Sequence, residues 1–355
     1  VPRFPAEVLE RFASQLFEAA GVPADEAAVV ARSLVGANLR GHDSHGLMRV
    51  PQYLGFVAKG EYRPGAALVV EHETPAAVVC DAQWGFGQVQ AHRLLDHLVP
   101  KARALGVAAG AARHCGHIGR LGEYAERAAE SGLILMATVN NCGAGQRVAP
   151  PGGTAPRLGT NPLCVGVPTG SDPVVLDFGT SVVAEGKVRV YHINGQPVPA
   201  GWLLDRDGQP TTDPSVLYEQ PSGSILPMGG TQAYKGFGLA LVLDMLASGL
   251  SGGRTCFQGA PAAKGNNVLF VLFDPEGFAG RDAMAREAGG LSAFVRETPR
   301  AAGVEAILLP GDPELIALRE RSRAGVPLAE AHWERLVEAA ATLGVDPPSP
   351  PPSPA

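Results

Sequence analysis

Val107-Ala-Ala-Gly-Ala-Ala112, then Arg113-His-Cys-Gly-His-Ile-Gly-Arg-Leu-Gly122, a helical stretch to about Ser131, and Leu133-Ile-Leu-Met-Ala-Thr-Val-Asn140 decide the class of this fold. The first piece is a short run of small apolar residues and reads as a buried strand. A glycine-punctuated polar turn follows, then a helix, then a second apolar run. Strand, turn, helix and strand in that order indicate an α/β protein. Upstream, Ala67–His72 and Ala76–Asp81 read as two short strands joined at Glu73-Thr-Pro75. Gly87–Leu105 is a helical pattern (Val89, His92, Leu95, Leu98, Ala102) interrupted at Pro100, which lacks a backbone donor.

Downstream, a glycine- and proline-rich segment, Asn141–Thr160, precedes two strands, Cys164–Pro168 and Val174–Phe178. Val188–Thr212 reads as a hairpin-rich excursion with turns at Asn194-Gly195 and Asp207-Gly208. Gly236–Leu250 is a mostly buried helix, and Asn267–Phe273 an apolar strand. Both ends are helical. Pro5–Ala20 gathers Val8, Leu9, Phe12, Leu16 and Phe17 on one face. Pro23-Ala-Asp-Glu26 opens a second helix with acids in its first turn. Glu314–Gly325 and Ala329–Leu343 are terminal helices, and the proline-serine tail Asp346–Ala355 is expected to be disordered.

A chain of 355 residues can bury a large core, and two domains are expected. The formal net charge of −6 comes without a basic block, which argues against nucleic acid and anionic membranes as partners. Five scattered cysteines with no CxxC pair point to a reducing compartment, hence a cytoplasmic protein, and away from a disulfide framework. No signal peptide is evident, and no apolar stretch is long enough to span a bilayer.

Two stretches hold groups suited to chemistry. Gly41-His-Asp-Ser-His-Gly-Leu-Met-Arg-Val-Pro-Gln-Tyr53 places two imidazoles, a carboxylate, a hydroxyl, a guanidinium and a phenol just after a helix. Imidazole is the commonest general acid or base, and Arg is the natural clamp for a carboxylate. The plainer reading is a helix cap at Gly41 followed by a solvated turn. His114-Cys-Gly-His117 lies at a strand-to-helix turn, a favoured ligand position in α/β sheets. There Gly116, Gly119 and Gly122 allow either a ligand or the helix to approach the backbone closely. His42, His45, Cys115 and His117 match no common zinc spacing, so no metal is expected. Neither G-x-G-x-x-G after a strand nor G-x-x-x-x-G-K-[ST] is present. Weaker nucleotide signals are Tyr234-Lys-Gly-Phe-Gly238 before a helix and Asp177-Phe-Gly-Thr-Ser181 after a strand. Ser44 beside His45 lacks the G-x-S-x-G elbow of hydrolases.

With these residues in view, the chain resembles the type 2 malate/L-lactate dehydrogenase superfamily. The resemblance is carried by Gly41–Gly46 with Arg49 and Tyr53, His114–Tyr124, Gly159-Thr-Asn-Pro162, Asp177–Lys187, Pro210–Asp213, Lys235–Leu250 and Leu308–Asp312. It covers nearly all of the chain in order except the proline tail. Phe86–Val89, His117–Arg120 and Ser248–Thr255 are most similar to the hydroxycarboxylate dehydrogenase B branch. The resemblance implies an NAD- or NADP-dependent oxidoreductase, a homodimer acting on a small 2-oxo or 2-hydroxy acid of malate, lactate or aryl-lactate type. It implies a non-Rossmann cofactor-binding sheet region over residues 67–305, and a helical domain built from residues 1–66 packing with residues 306–345. Alternatives are a cyclic-imine (piperideine or pyrroline carboxylate) reductase and a non-catalytic cofactor-binding relative.

By the family pattern, Ser44 and His45 lie where nicotinamide meets substrate, with His45 or His117 as acid/base. Arg49 and Tyr53 bind substrate. His45, Gly119, Thr160, Asn161, Asp177, Gly179, Thr180, Ser181, Lys235, Gly236, Gly311, Asp312 and Glu314 touch the cofactor. Arg189 and His192 are candidates for a ribose 2′-phosphate. The segment Asn140–Gln146 departs from the pattern, so substrate contacts are not carried across it.

Overall fold

The computed structural model describes residues 2–258 and 264–349. Among them, seven strands form the central sheet: β1 (Val69–Glu73), β2 (Ala77–Asp81), β3 (Val107–Cys115), β4 (Ile134–Asn140), β5 (Pro162–Val167), β6 (Val174–Gly179) and β7 (Asn266–Phe273). Their order across the sheet is β1-β2-β3-β7-β4-β5-β6. Only β2 and β3 pair in parallel; the other neighbours are antiparallel. The expected α/β class holds as a mixed arrangement.

The helices are α1 (Ala6–Ala19), α2 (Ala24–Leu39), α3 (Val50–Ala58), α4 (Gly87–Leu105), α5 (Gly122–Glu130), α6 (Glu185–Ile193), α7 (Tyr234–Ser251), α8 (Arg281–Arg296), α9 (Asp312–Ala324) and α10 (Glu330–Leu343). The stretch that sets the class becomes β3–α5–β4, a split unit. Its two strands run the same way, and β7 is inserted between them. Asn266–Phe270 is buried without a break, as befits a strand covered on both faces.

Leu94 and Leu98 of α4, Tyr124 and Ala125 of α5, and Val268, Phe270 and Leu272 of β7 share one core. Asn267, on the alternate face of β7, instead reaches Ser248 of α7 at 3.4 Å. Helices therefore cover both faces of the sheet. A second core joins Leu9 and Phe17 of α1, Leu34 of α2, Tyr53 of α3 and Leu336 of α10. Phe4 pairs with Val326 beside it, stitching the two chain ends together.

Four sequence expectations change. α4 runs unbroken through Pro100, because that residue is exposed and its missing donor faces water while Leu94, Leu98 and Ala102 anchor the helix. β3 extends past Ala112 to Cys115, so His114 is on the strand and not in the turn. The excursion at Val188 begins as helix α6. Val188 and Tyr191, spaced for a helix, pack with Val148, Val198 and Leu203, and Asn194-Gly195 closes the helix. The turn at Asp207-Gly208 does join two short paired strands. Finally, α3 and α8 have no counterpart in the sequence reading; α8 has no buried residue to give it a periodic signal.

Residues 346–349 carry no helix or strand, and residues 350–355 lie outside the described residues. No helix among the described residues is long and apolar enough to cross a membrane.

Candidate active site

The first wall of the site is built by the end of α2. His42 N donates to Ala37 O (2.9 Å), Gly41 N donates to Asn38 O (3.0 Å), and Gly41 has φ +83°, so Gly41 is indeed a helix cap. The cap also sets the course of the chain. Two short 3-10 turns, Asp43–His45 and Leu47–Arg49, lead from it into α3. Asn38 clamps both turns: Oδ1 accepts from Leu47 N (2.8 Å) and Nδ2 donates to Asp43 (2.6 Å). A Cβ on Gly46 would lie 2.2 Å from Asn38 Oδ1, so only glycine fits there. Arg321 of α9 pairs with Asp43 at 2.8 Å and holds the outside of the turn.

On this frame, Arg49 Nε donates to Ser44 O (2.7 Å) and Nη1 to Gln52 (2.8 Å). No carboxylate pairs with it among the described residues. Ser44 Oγ is 3.0 Å from His45 Nδ1. The second wall is the turn after β3. His117 stacks on His45 with ring centroids 5.5 Å apart. Its backbone N donates to Tyr62 Oη (2.7 Å), and its Nδ1 faces Tyr53 Oη (2.7 Å) and accepts from Gly119 N (3.3 Å). Nε2 is the nitrogen left for a ligand.

Electrostatics keep both rings neutral. Burial first, then the positive charges of Arg49, His42 and Arg120, pull His45 down to about 3. Burial, Arg49 and His45 hold His117 well below the usual imidazole value. Burial pushes the Tyr53 hydroxyl up to about 12, so it stays protonated.

These groups open on a crevice of about 360 Å³ between the α3 end and the strand ends. His45, Arg49, His117, Gly119 and Thr160 all line it. So do Phe56 and Tyr62, the strand-end residues Asn141 and Asn266, and the cations Arg147, Arg189 and Lys264. Arg189 is already paired with Glu185 (2.9 Å). Gly186 of α6 packs against Ser44, so the first turn of that helix closes one side. A larger groove of about 570 Å³ between α3 and α10 is mainly apolar, with Leu54, Val57 and Leu343, and holds no imidazole.

The other expected residues fall in distinct places. Tyr53 is fully buried behind His117 and does not line the crevice. Asp177 of β6 accepts from Gly122 N at the start of α5 (2.7 Å), and burial raises its carboxyl. Glu314 of α9 meets His42 (2.9 Å), Asp312 pairs with Arg296 (2.6 Å), and Gly311 (φ +96°) abuts Val175. These four form a patch where α9 meets β6. Thr180 Oγ1 bonds Thr160 O (3.1 Å) and Asn161 O (3.0 Å), and Ser181 Oγ bonds Val183 O (2.8 Å). Gly179 is exposed at the end of β6, opposite Thr160 O. Lys235 and Gly236 begin α7 and do not line the crevice. His192, at a separate hollow, packs against Tyr218 with the rings tilted, and His114 turns to Asp81 (3.0 Å). No three metal-ligating side chains converge among the described residues.

Beneath the crevice lies a floor that sequence reading missed. Asn140 Nδ2 donates to Asp244 (3.0 Å) and Ser248 (2.6 Å), and its Oδ1 accepts from Cys142 N (3.1 Å) and Asn267 (2.8 Å). Asn161 Nδ2 donates to Asp244 (3.1 Å) and Ala240 O (2.9 Å). Asn266 donates to Asn140 O (2.9 Å) and accepts from Ile118 N (3.0 Å), next to His117. A sequence signal existed: Asp244 and Ser248, four residues apart, interrupt an otherwise apolar helix.

With this geometry fixed, comparison with known proteins is informative. A family model described as malate/L-lactate dehydrogenase matches residues 4–337. Hydroxycarboxylate dehydrogenase B of Escherichia coli K12 is 37% identical over 97% of this chain and 95% of that protein. The Δ1-pyrroline-2-carboxylate/Δ1-piperideine-2-carboxylate reductase of Pseudomonas syringae pv. tomato is 36% identical over 92% of this chain and 93% of that protein. The solved structure of malate dehydrogenase from Pyrococcus horikoshii OT3 superposes with a TM-score of 0.88 at 30% identity, covering 98% of this chain and 97% of the other.

Proposed function

The chain belongs to the malate/L-lactate dehydrogenase family, and we propose that it moves a hydride between NAD or NADP and the carbonyl carbon of a 2-oxo acid of malate, lactate or aryl-lactate type. One observation carries the reading. Arg49, with no carboxylate partner, faces the same cavity as two imidazoles whose Nε2 atoms have no partner among the described residues.

The residues present fit a nicotinamide coenzyme. Gly119, Gly145, Gly186 and Gly265 leave parts of the crevice wall without side chains, so a flat ring can lie against backbone. The cations Arg147 and Lys264, without an ion-pair partner among the described residues, suit anionic groups. We assign the holding of the coenzyme to His45, Gly119 and Thr160 in the crevice. Asp177, Gly311, Asp312 and Glu314 extend it on the adjoining β6–α9 face, and Asn161, Gly179, Thr180, Ser181, Lys235 and Gly236 complete the assignment. When bound, the coenzyme supplies or receives the hydride. Arg49 then fixes the substrate carboxylate and so orients the carbonyl, a positional effect. His117 donates a proton from Nε2 to the developing alkoxide, and in oxidation takes it back. His117 is favoured over His45 because Tyr53 and Gly119 both meet its Nδ1 while Tyr62 holds its backbone N–H, which fixes the ring with Nε2 free. A bound carboxylate offsets the Arg49 charge that, after burial, helps keep the imidazoles neutral, so substrate binding favours proton uptake.

Reduction of a cyclic imine beside a carboxylate uses the same groups, and the similarity to the Pseudomonas reductase supports it as a second reading. Steady-state assays with oxaloacetate, phenylpyruvate and a piperideine carboxylate, each with NADH and NADPH, test the proposal. Turnover of an oxo acid is expected; turnover of the imine alone overturns it in favour of the second reading.

We also propose that residues 1–66 and 306–345 form one domain and residues 67–305 the other, because the two chain ends share a core. The domain of residues 67–305 is read as non-Rossmann in support of the missing glycine fingerprint. A homodimer is supported by the exposed apolar face of α7 at Val242, Met245, Leu246 and Leu250. A cytoplasmic location is supported by five free cysteines.

A further inference from the structure

Gln88, in the first turn of α4, is fully buried behind the catalytic wall. Its amide has one partner among the described residues. Nε2 donates to Tyr53 Oη at 3.1 Å, and Oε1 has none. A buried acceptor without a donor is destabilising, so this one calls for a reason.

The hydrogen-bond directions supply one. Gly119 N can only donate, and it points at His117 Nδ1 (3.3 Å). In the neutral ring Nδ1 therefore accepts and Nε2 carries the hydrogen. Tyr53 then donates to Nδ1 and receives from Gln88. In this state Nε2 cannot act as a base. Placing a hydrogen on Nδ1 reverses the chain. Tyr53 Oη must now accept from Nδ1, and its own hydrogen needs an acceptor. Gln88 Oε1 provides it after a half-turn of the amide. That turn breaks no other side-chain hydrogen bond, because Tyr53 is the amide's only partner among the described residues; Gly119 N gives up its long contact.

We propose that Gln88 is a positioning residue that, through Tyr53, lets His117 exchange its ring hydrogen between Nε2 and Nδ1, and so serve as both acid and base. The inference rests on the reading of His117 given above. In reduction the imidazolium gives its Nε2 proton to the alkoxide and keeps Nδ1–H on Tyr53, whose hydrogen lies on Gln88 Oε1. In oxidation the same neutral ring accepts the alcohol proton at Nε2 while the hydride leaves carbon. The charged and titratable groups around the chain are Arg49, His45 and Tyr62 beside His117, and Glu123 and Arg49 beside Tyr53. Gln88→Glu adds one carboxyl to this set, and Gln88→Met leaves it unchanged.

The test uses Gln88→Glu, which offers only acceptors, and Gln88→Met, which offers neither donor nor acceptor. The full-length, coenzyme-free protein is labelled with 15N-histidine, and the His117 signals are assigned by their loss in His117→Gln. Gln88→Glu is expected to raise the His117 midpoint by about one pH unit and populate the Nδ1–H tautomer. Gln88→Met is expected to lower the midpoint and lock Nε2–H. The pH limb of kcat/KM for hydroxy-acid oxidation should move with each. Unmoved midpoints, or movement of both variants in one direction, overturn the proposal. If Gln88→Glu does not fold, a lowered midpoint and a locked Nε2–H tautomer in Gln88→Met decide for it, and an unmoved one against. Failure of the dehydrogenase reading shows separately, as a wild-type protein that reduces no oxo acid while the NMR arm still reports on the ring.

Discussion

The wall of the crevice and its floor are both rich in polar side chains, yet they differ in how far the protein itself satisfies them. In the floor, Asn140 uses both ends of its amide on Asp244, Ser248, Cys142 and Asn267, and Asn161 is turned down onto Asp244 and Ala240. In the wall, among the described residues, Arg49 lacks an anionic partner, the two imidazoles leave Nε2 open, and Gln88 Oε1 is orphaned. Buried polar groups are normally paired. The floor follows that rule except at Asn267 Oδ1, which has no partner among the described residues, and reads as structure; the wall departs from it where a ligand would complete it. Position near a cavity does not separate the two, because Asn266 of the floor lines the crevice as His117 does. Open hydrogen-bonding capacity facing the crevice separates them: Arg49, His45 and His117 line it, whereas the floor's orphaned Asn267 Oδ1 does not.

The largest expected effect is in the wall. His117→Ala should lower kcat by about 10²–10⁴-fold, the usual contribution of a positioned acid/base, with coenzyme affinity kept. Stopped-flow turnover and coenzyme titration check it. If His117→Ala keeps near-native turnover and His45→Ala abolishes it, the acid/base role moves to the stacked ring. Next, Arg49→Lys should cut kcat/KM by roughly ten- to hundredfold, mostly through KM, because one bond of a charged fork is lost. An unchanged kcat/KM would remove Arg49 from substrate recognition.

The floor should behave in the opposite way. Asp244→Asn sets an amide against the amides of Asn140 and Asn161, and should lower stability by about 1–3 kcal/mol while turnover per folded molecule stays within a few-fold. Chemical denaturation beside active-site titration measures both. Lost turnover at unchanged stability would erase the distinction between floor and wall. A smaller effect concerns pH. His45 is held at about 3 in the folded chain, below its value of about 6.5 when unfolded. Between those values the unfolded chain binds more protons, so this contribution is complete above the unfolded value and is lost as pH falls. His45→Asn should flatten the fall of Tm on the acid side; an identical Tm–pH curve would contradict the desolvation of His45.

Much of the fold was legible because it rests on periodicity. The helices at both ends, the β3–α5–β4 unit and the apolar β7 all announce themselves by the spacing of their apolar residues. What periodicity hides is pairing. Nothing local says that Asn266–Phe273 is inserted between strands that precede it by more than a hundred residues, since apolar runs carry no address. The site divided along the same line. His45, Arg49 and His117 stood out as chemistry in polar turns. Gln88 and Tyr62 did not, because a buried amide or phenol shows its use only once its partner is placed. Tyr53 was picked out by resemblance as a substrate contact, whereas its hydroxyl meets His117 from behind. Asp244 shows in the sequence only as a break in an apolar helix, and its partners Asn140 and Asn161 come from the ends of β4 and β5.

The most direct test of hydride transfer in this crevice is to follow the transferred hydrogen itself. The enzyme would be incubated with coenzyme deuterated at the nicotinamide C4 and a panel of 2-oxo acids, and the product examined by NMR and mass spectrometry. Deuterium at C2 of a hydroxy acid, in wild type and lost in His117→Ala, is the predicted result. Product without deuterium, or no coenzyme oxidation with any 2-oxo acid, would contradict it.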